Sequence, residues 1–283
     1  MKKLSVVIPV FNQIDLAKTC YQEIMANNIN LENETEFIIL DNGSDSPIQE
    51  QDFPGAKIVR NEKNIGVYPT FKQGMEVAQG DIVAFFHSDI VVWEKGWNNR
   101  VIDVFSMDDS IGLVGFIGSN EIDYNGGRGS GTASNFQGRE ISNGLKTWAG
   151  SSWDKHGRHL MGYMKGAVVD GCVMIISKEA WSKIKYRENF PPHHFYDRLI
   201  STQILENLFS VGILGIEFDH ISGQTVNQEK GYQIMAYDWL DSKGLTDNDF
   251  QDNYNYDQDI YLLAEEEWLT EYRDKKHIVP LII

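Results

Sequence analysis

The chain has 283 residues, 42% of them hydrophobic, which suits one large domain with an appendage and excludes wholesale disorder. Lys and Arg number 25 against 41 Asp and Glu, a net charge of −16 that opposes nucleic-acid backbones and anionic lipid surfaces. Two cysteines, Cys20 and Cys172, are too few for a disulfide framework or a zinc cluster and point to a reducing, cytoplasmic setting.

Leu4–Val10 is a β-branched run that reads as a strand; Pro9 and Asn12 stop it short of a signal peptide's apolar region. No stretch approaches the roughly 18 apolar residues of a membrane span. Asp15–Asn27 carries Leu16, Thr19, Cys20 and Ile24 at helical spacing. Glu36–Leu40 is a second apolar strand, closed by Asp41-Asn42-Gly43-Ser44, and Lys57–Arg60 a short third. Tyr68–Ala78 reads as a helix and Asp81–Phe86 as a fourth strand. This alternation predicts βαβ units and a Rossmann-like, mostly parallel α/β sheet flanked by helices. The strands are near-continuous apolar runs, as expected where helices cover both faces.

Tyr124–Gly150 is a Gly-rich loop with Ser, Thr and Asn between the glycines, equally an insertion without structure or a lid. Trp148 and Trp153 flank its end and are candidates for stacking on sugars or for packing. Val168–Ile176 predicts a strand, Lys178–Ile184 a helix, Phe195–Ser210 a helix, and Gly212–Phe218 a strand ending at Asp219-His220. Tyr232–Leu240 and Ile260–Glu271 look helical, so residues 226–283 read as a C-terminal helical extension of a domain spanning 1–225.

Ligands of open α/β sheets sit beyond the carboxyl ends of the strands. Here those ends are Pro9–Asn12, Asp41–Ser46, Asn61–Val67 and His87–Asp89. Asp89 emerges from the apolar run Phe85-Phe86, where a carboxylate is costly unless paired, solvated or metal-bound. His220 follows a similar strand much later. A carboxylate with an imidazole is a ligand pair for Mn2+ or Mg2+, and such an ion would let a −16 protein hold a diphosphate. Read alone, each is equally a surface Asp and an unrelated His.

Five segments in order carry a resemblance. Leu4-Ser5-Val6-Val7-Ile8-Pro9-Val10-Phe11-Asn12 resembles the opening strand of the family 2 glycosyltransferases, which have the GT-A fold. Ile38-Ile39-Leu40-Asp41-Asn42-Gly43-Ser44-Asp45 is similar to their second strand and acidic turn, and Asn61-Glu62-Lys63-Asn64-Ile65-Gly66-Val67 to their Asn-x-Gly segment. Ala84-Phe85-Phe86-His87-Ser88-Asp89 stands where they carry Asp-x-Asp, with His87 replacing the first acid. Gly171–Trp181 resembles the strand and helix after the acceptor region.

The resemblance implies transfer of a sugar from a nucleotide-diphosphate donor, most often UDP-linked, to a saccharide or other hydroxyl acceptor, usually with inversion. It implies that Pro9, Phe11 and Asn12 line the nucleotide pocket, that Asp41 accepts from the base, and that Asn64 and Gly66 lie near base and ribose. Asp89 and His220 would ligate Mn2+ or Mg2+, with His87 and Ser88 at the donor phosphates or ribose and Asp170 at a sugar hydroxyl. Asp197, in His193-His194-Phe195-Tyr196-Asp197-Arg198-Leu199, would be the general base, with His194 in reserve; Asp197 equally suits a helix cap. Two alternatives stay open: a nucleotidyltransferase, against which Pro9–Gln13 offers neither Gly nor Lys, and a catalytically silent sugar-binding protein. Self-association as a homo-oligomer is undecided.

Overall fold

The computed structural model describes residues 3–29, 35–123, 126–128, 131–139, 158–221, 239, 243–244 and 256–275. Most of the Gly-rich loop, Trp148, Trp153 and nearly all of 232–240 lie outside them.

The first half follows the sequence closely. Strand β1 (Leu4–Val10), helix α1 (Ile14–Ala26), β2 (Glu36–Asp41), β3 (Ala56–Arg60), α2 (Val67–Val77) and β4 (Ile82–Phe86) alternate as the apolar runs predict. β3, β2, β1 and β4 pair side by side, all parallel. Then come β5 (Ile90–Val92), α3 (Trp97–Met107), β6 (Ile111–Gly115), β7 (Ile117–Ser119), β8 (Thr132–Ser134), β9 (Arg158–His159), β10 (Tyr163–Gly166) and β11 (Val168–Val169). The chain continues through β12 (Val173–Ser177), α4 (Lys178–Trp181), α5 (Tyr196–Glu206), β13 (Ser210–Leu214), β14 (Phe218–His220) and α6 (Tyr256–Tyr272).

The main sheet has eight strands in the order β10-β13-β6-β12-β4-β1-β2-β3. Its second half is mixed, because β12 runs antiparallel to both β4 and β6 while β13 is parallel to β6. Side chains alternate across the sheet. Val6, Ile8, Ala84 and Phe86 meet α1 and α3 on one face. Val7, Val83 and Phe85 meet α2, α5 and α6 on the other. The C-terminal helix docks through Ile260, Ala264, Trp268 and Tyr272, buried at four-residue intervals, and the Trp268 indole N–H donates to Thr202 Oγ1 at 3.4 Å.

Two predicted strands are each divided. Val168–Ile176 breaks after Val169: β11 leaves for a small sheet with β7, and β12 joins β4. Between them Gly171 passes the Tyr196 phenol so closely that a Cβ there would lie 2.2 Å from its oxygen, which requires glycine. Gly212–Phe218 likewise divides, because the Gly215 carbonyl accepts from Arg100 (3.2 Å) and Asn135 (3.3 Å) side chains instead of a ladder. The chain then returns as β14, antiparallel to β5. That small ribbon, invisible in the apolar pattern, positions the site.

Candidate active site

In the β5–β14 ribbon His220 is the register partner of Ile90, the residue after Asp89. The Ile221 amide closes the pair by donating to the Asp89 carbonyl at 3.0 Å. His220 Nε2 thus stands 3.2 Å from Asp89 Oδ1. The two residues, 131 positions apart in sequence by subtraction, are placed together by main-chain pairing alone. His87 joins them from the end of β4, where its amide donates to the Cys172 carbonyl at 2.9 Å. Ligand atoms of His87, Asp89 and His220 all lie within 4.8 Å of one another.

Charge orders this group. Burial pushes the Asp89 carboxyl upward, but His220 beside it, and then His87, more than offset that and hold it below the usual range. Burial pushes the His87 imidazole down, favouring the neutral ring. His87 Nε2 shares a 2.9 Å hydrogen bond with the Tyr196 hydroxyl, whose own ionisation burial and then Asp197 push well up.

Asp170 and Asp197 complete the floor. Asp170 accepts from the Cys172 amide at 2.8 Å and pairs with Arg128 of the Gly-rich segment. Burial works against its charge, but Arg128 and then His220 outweigh burial and hold it well below the ordinary range. Asp197 is 4% exposed. Its Oδ2 accepts from Arg198 Nη1 at 2.6 Å and from the Gly171 amide at 3.2 Å, and its Oδ1 from the Arg198 amide at 2.8 Å. It lies in the first turn of α5; the cap position belongs to Phe195, which holds a left-handed φ of 58°.

Beside these groups a cleft is lined by Pro9, Val10, Phe11, Asn42, Asn64, Gly66, Val67, Ser88 and His193. Gly66 enters α2 with φ 89°, a conformation that glycine adopts without strain. Ser88 joins the cleft to its neighbours His87 and Asp89.

Asn12 and Asp41 are engaged elsewhere. The Asn12 side chain accepts from the Asp45 amide at 3.0 Å, tying the β1 and β2 loops together. Asp41 is fully buried, and its oxygens accept from the Ser44 amide (2.9 Å), the Ile48 amide (3.1 Å) and Arg60. The cleft is lined instead by Asn42, whose Nδ2 donates to Asn64 Oδ1 at 2.8 Å. His194 turns its ring to Tyr261 of α6, 5.5 Å away, while His193 lines the cleft. Asn42 and His193 were the readings that the sequence missed. The Asn42-Gly43 turn and the His-His pair were visible, but which neighbour faced inward was not.

The model of glycosyl transferase family 2 matches residues 5–198. The chain belongs to that family. The fold of this family 2 glycosyltransferase is shared with solved enzymes. GalNAc-T7, solved with UDP, GalNAc and Mn2+, superposes with a TM-score of 0.57 at 15% identity, over 78% of this chain and 43% of that one. The mannosyltransferase PcManGT from Pyrobaculum calidifontis, solved with GDP-Man and Mn2+, gives 0.52 at 11% identity, over 99% and 72%. This chain thus spans less than half of the GalNAc-T7 chain. No curated protein matches the chain by sequence. Among the described residues no helix is long and apolar enough to cross a membrane.

Proposed function

We propose that this glycosyltransferase moves a sugar from a nucleotide-diphosphate donor, UDP-linked, to an acceptor hydroxyl by a single inverting displacement. The observation that carries the reading is the convergence of His87, Asp89 and His220 beside the cleft. Two imidazoles and a carboxylate suit Mn2+ better than Mg2+, which favours oxygen ligands. Both related structures were also solved with Mn2+ alongside the nucleotide or nucleotide-sugar. Bound there, the ion would neutralise charge on the departing diphosphate.

The protein's own groups supply the rest. Pro9, Phe11, Asn42, Asn64 and Gly66 hold base and ribose, and Ser88 and His193 stand where the diphosphate leaves the cleft. The Tyr196 hydroxyl occupies one His87 nitrogen and orients the ring, leaving the other as a ligand. Asp197, held by Arg198 and the Gly171 amide, takes the proton of the acceptor hydroxyl as its oxygen bonds to the anomeric carbon. The bond from that carbon to the diphosphate oxygen breaks, and the nucleoside diphosphate departs with the electron pair. Residues 1–225 form the transfer domain in this reading, with 226–283 its C-terminal extension.

Asp89→Ala and His220→Ala should each lower Mn2+-dependent hydrolysis of UDP-sugars by roughly a hundredfold or more, measured as UDP release. Turnover near wild type in either variant would remove the metal role. UDP binding without hydrolysis or transfer, under any donor tried, would leave a silent nucleotide-binding protein.

A further inference from the structure

We infer that the C-terminal helix α6 forms the acceptor-facing wall of the site, and that Tyr261 with the Asp123–Glu265 rim selects an uncharged or amine-bearing saccharide over an anionic one. The inference rests on Asp197 being the base. An acceptor hydroxyl must then reach Asp197, and its remaining groups meet whatever surrounds that carboxylate.

The surroundings come from three stretches of chain. Phe195, two residues before Asp197, carries the Arg198 guanidinium 5.1 Å from its ring centre and the Tyr261 ring 5.0 Å away, edge-on. Tyr261 also meets His194 at 5.5 Å, so His194, Phe195 and Tyr261 make a continuous aromatic wall. Tyr261 is half-buried, which leaves part of its ring accessible to a sugar face. The third stretch is the Gly-rich segment. The Asp123 amide donates to the Gly127 carbonyl at 2.9 Å, and the Gly126 amide to the Asp123 carbonyl at 3.1 Å. Gly126 itself lies on Phe195 and on Trp268 of α6. Glu265 is one helical turn before Trp268, and the Asp123 carboxylate is near enough to act on its charge, so the two acids share one rim.

The charge of that rim decides the ligand class. Among the described residues, the charges that act on Tyr261 are Arg198, Glu265, Asp197 and Asp123. Arg198 is tied inward, to Asp197 at 2.6 Å and to the Gly126 carbonyl at 3.2 Å. Partial burial and then the charge of Asp123 push the Glu265 carboxyl upward, consistent with two acids in one neighbourhood. Such a rim accepts hydrogen bonds from hydroxyl or ammonium groups and repels a carboxylate or phosphate. The family match ends at residue 198, whereas α6 spans Tyr256–Tyr272, so Tyr261 and Glu265 come from the chain's own extension while His194 and Phe195 lie within the match.

The test compares three p-nitrophenyl glycosides as acceptors, with a UDP-sugar that the wild type hydrolyses: a neutral hexoside, its 2-amino-2-deoxy analogue and its uronic acid analogue. The neutral or amino acceptor should exceed the uronide in kcat/KM by about tenfold or more, and D123N/E265Q should close most of that gap. Y261A should lower the ratio of transfer to donor hydrolysis about tenfold, and Y261F should restore it. Equal use of the uronide, transfer to none of the three while donor is hydrolysed, or an unchanged ratio in Y261A would overturn the inference and leave the donor site standing. Absence of donor hydrolysis in the wild type would instead strike the functional reading, and this inference with it.

Discussion

Asp197 shows what the fold does to single residues. Its buried carboxylate is matched by one guanidinium and two amides, so it is held in one orientation, and it bridges α5 to the turn at Gly171. Its neighbour Phe195 holds φ 58°, and Asn12 and Gln13 hold φ 52° and 48° beside the cleft. Left-handed backbone at non-glycine residues is sparsely populated and survives where its surroundings over-determine it. Here three of the four such positions among the described residues flank the site. Asp197→Asn keeps the size and most hydrogen bonds of the side chain but cannot take a proton. Transfer should fall by about a thousandfold, in the range of lost general bases, while the affinity for UDP with Mn2+ changes less than about threefold. Initial rates paired with calorimetry check this, and wild-type transfer would remove Asp197 as the base.

Elements explain how distant residues meet. The β5–β14 ribbon is three residue pairs long, yet its register alone sets His220 against Asp89. Antiparallel pairing of β12 with β4 does the same for Cys172 and His87, and brings Asp170 under the cluster. The C-terminal helix is the element furthest from the family match. Its Trp268 is fully buried among Phe195, Tyr272 and the α5 side chains. Trp268→Ala should destabilise the protein by about 3–5 kcal/mol in urea or guanidinium unfolding, the cost of a large core cavity. A loss below about 1 kcal/mol would show that the helix is held otherwise, through its Arg187–Glu267 and Arg187–Glu271 ion pairs.

For the whole molecule the governing quantity is the net charge of −16. Asp89, Asp170 and Asp197 all lie near enough to His87 to act on its charge, around the cluster proposed to hold the ion. Arg128 and Arg198 are already paired with two of them. A nucleoside diphosphate alone therefore meets repulsion that a divalent cation would reverse. Chelation with EDTA should weaken UDP binding by at least about tenfold, and UDP should raise the melting temperature appreciably only with Mn2+ present. Equal UDP affinity with and without Mn2+ would contradict this.

The amino-acid sequence alone determined the alternating first half and the ends of strands β1, β2 and β4, because apolar runs and short motifs are local properties; that Asp89 meets His220 was implied only by the family resemblance, and the β5–β14 register brings it about. The sequence also pointed to a helix over Ile260–Glu271, whose buried face only the structure identifies. Tertiary structure decided the rest. Whether Asp41 or Asn42 faced the cleft depended on Arg60 and two amides capturing Asp41, and whether His193 or His194 did depended on Tyr261 reaching back from the far end of the chain. Adjacent residues have the same local pattern; only contacts made by distant elements distinguish which one points inward.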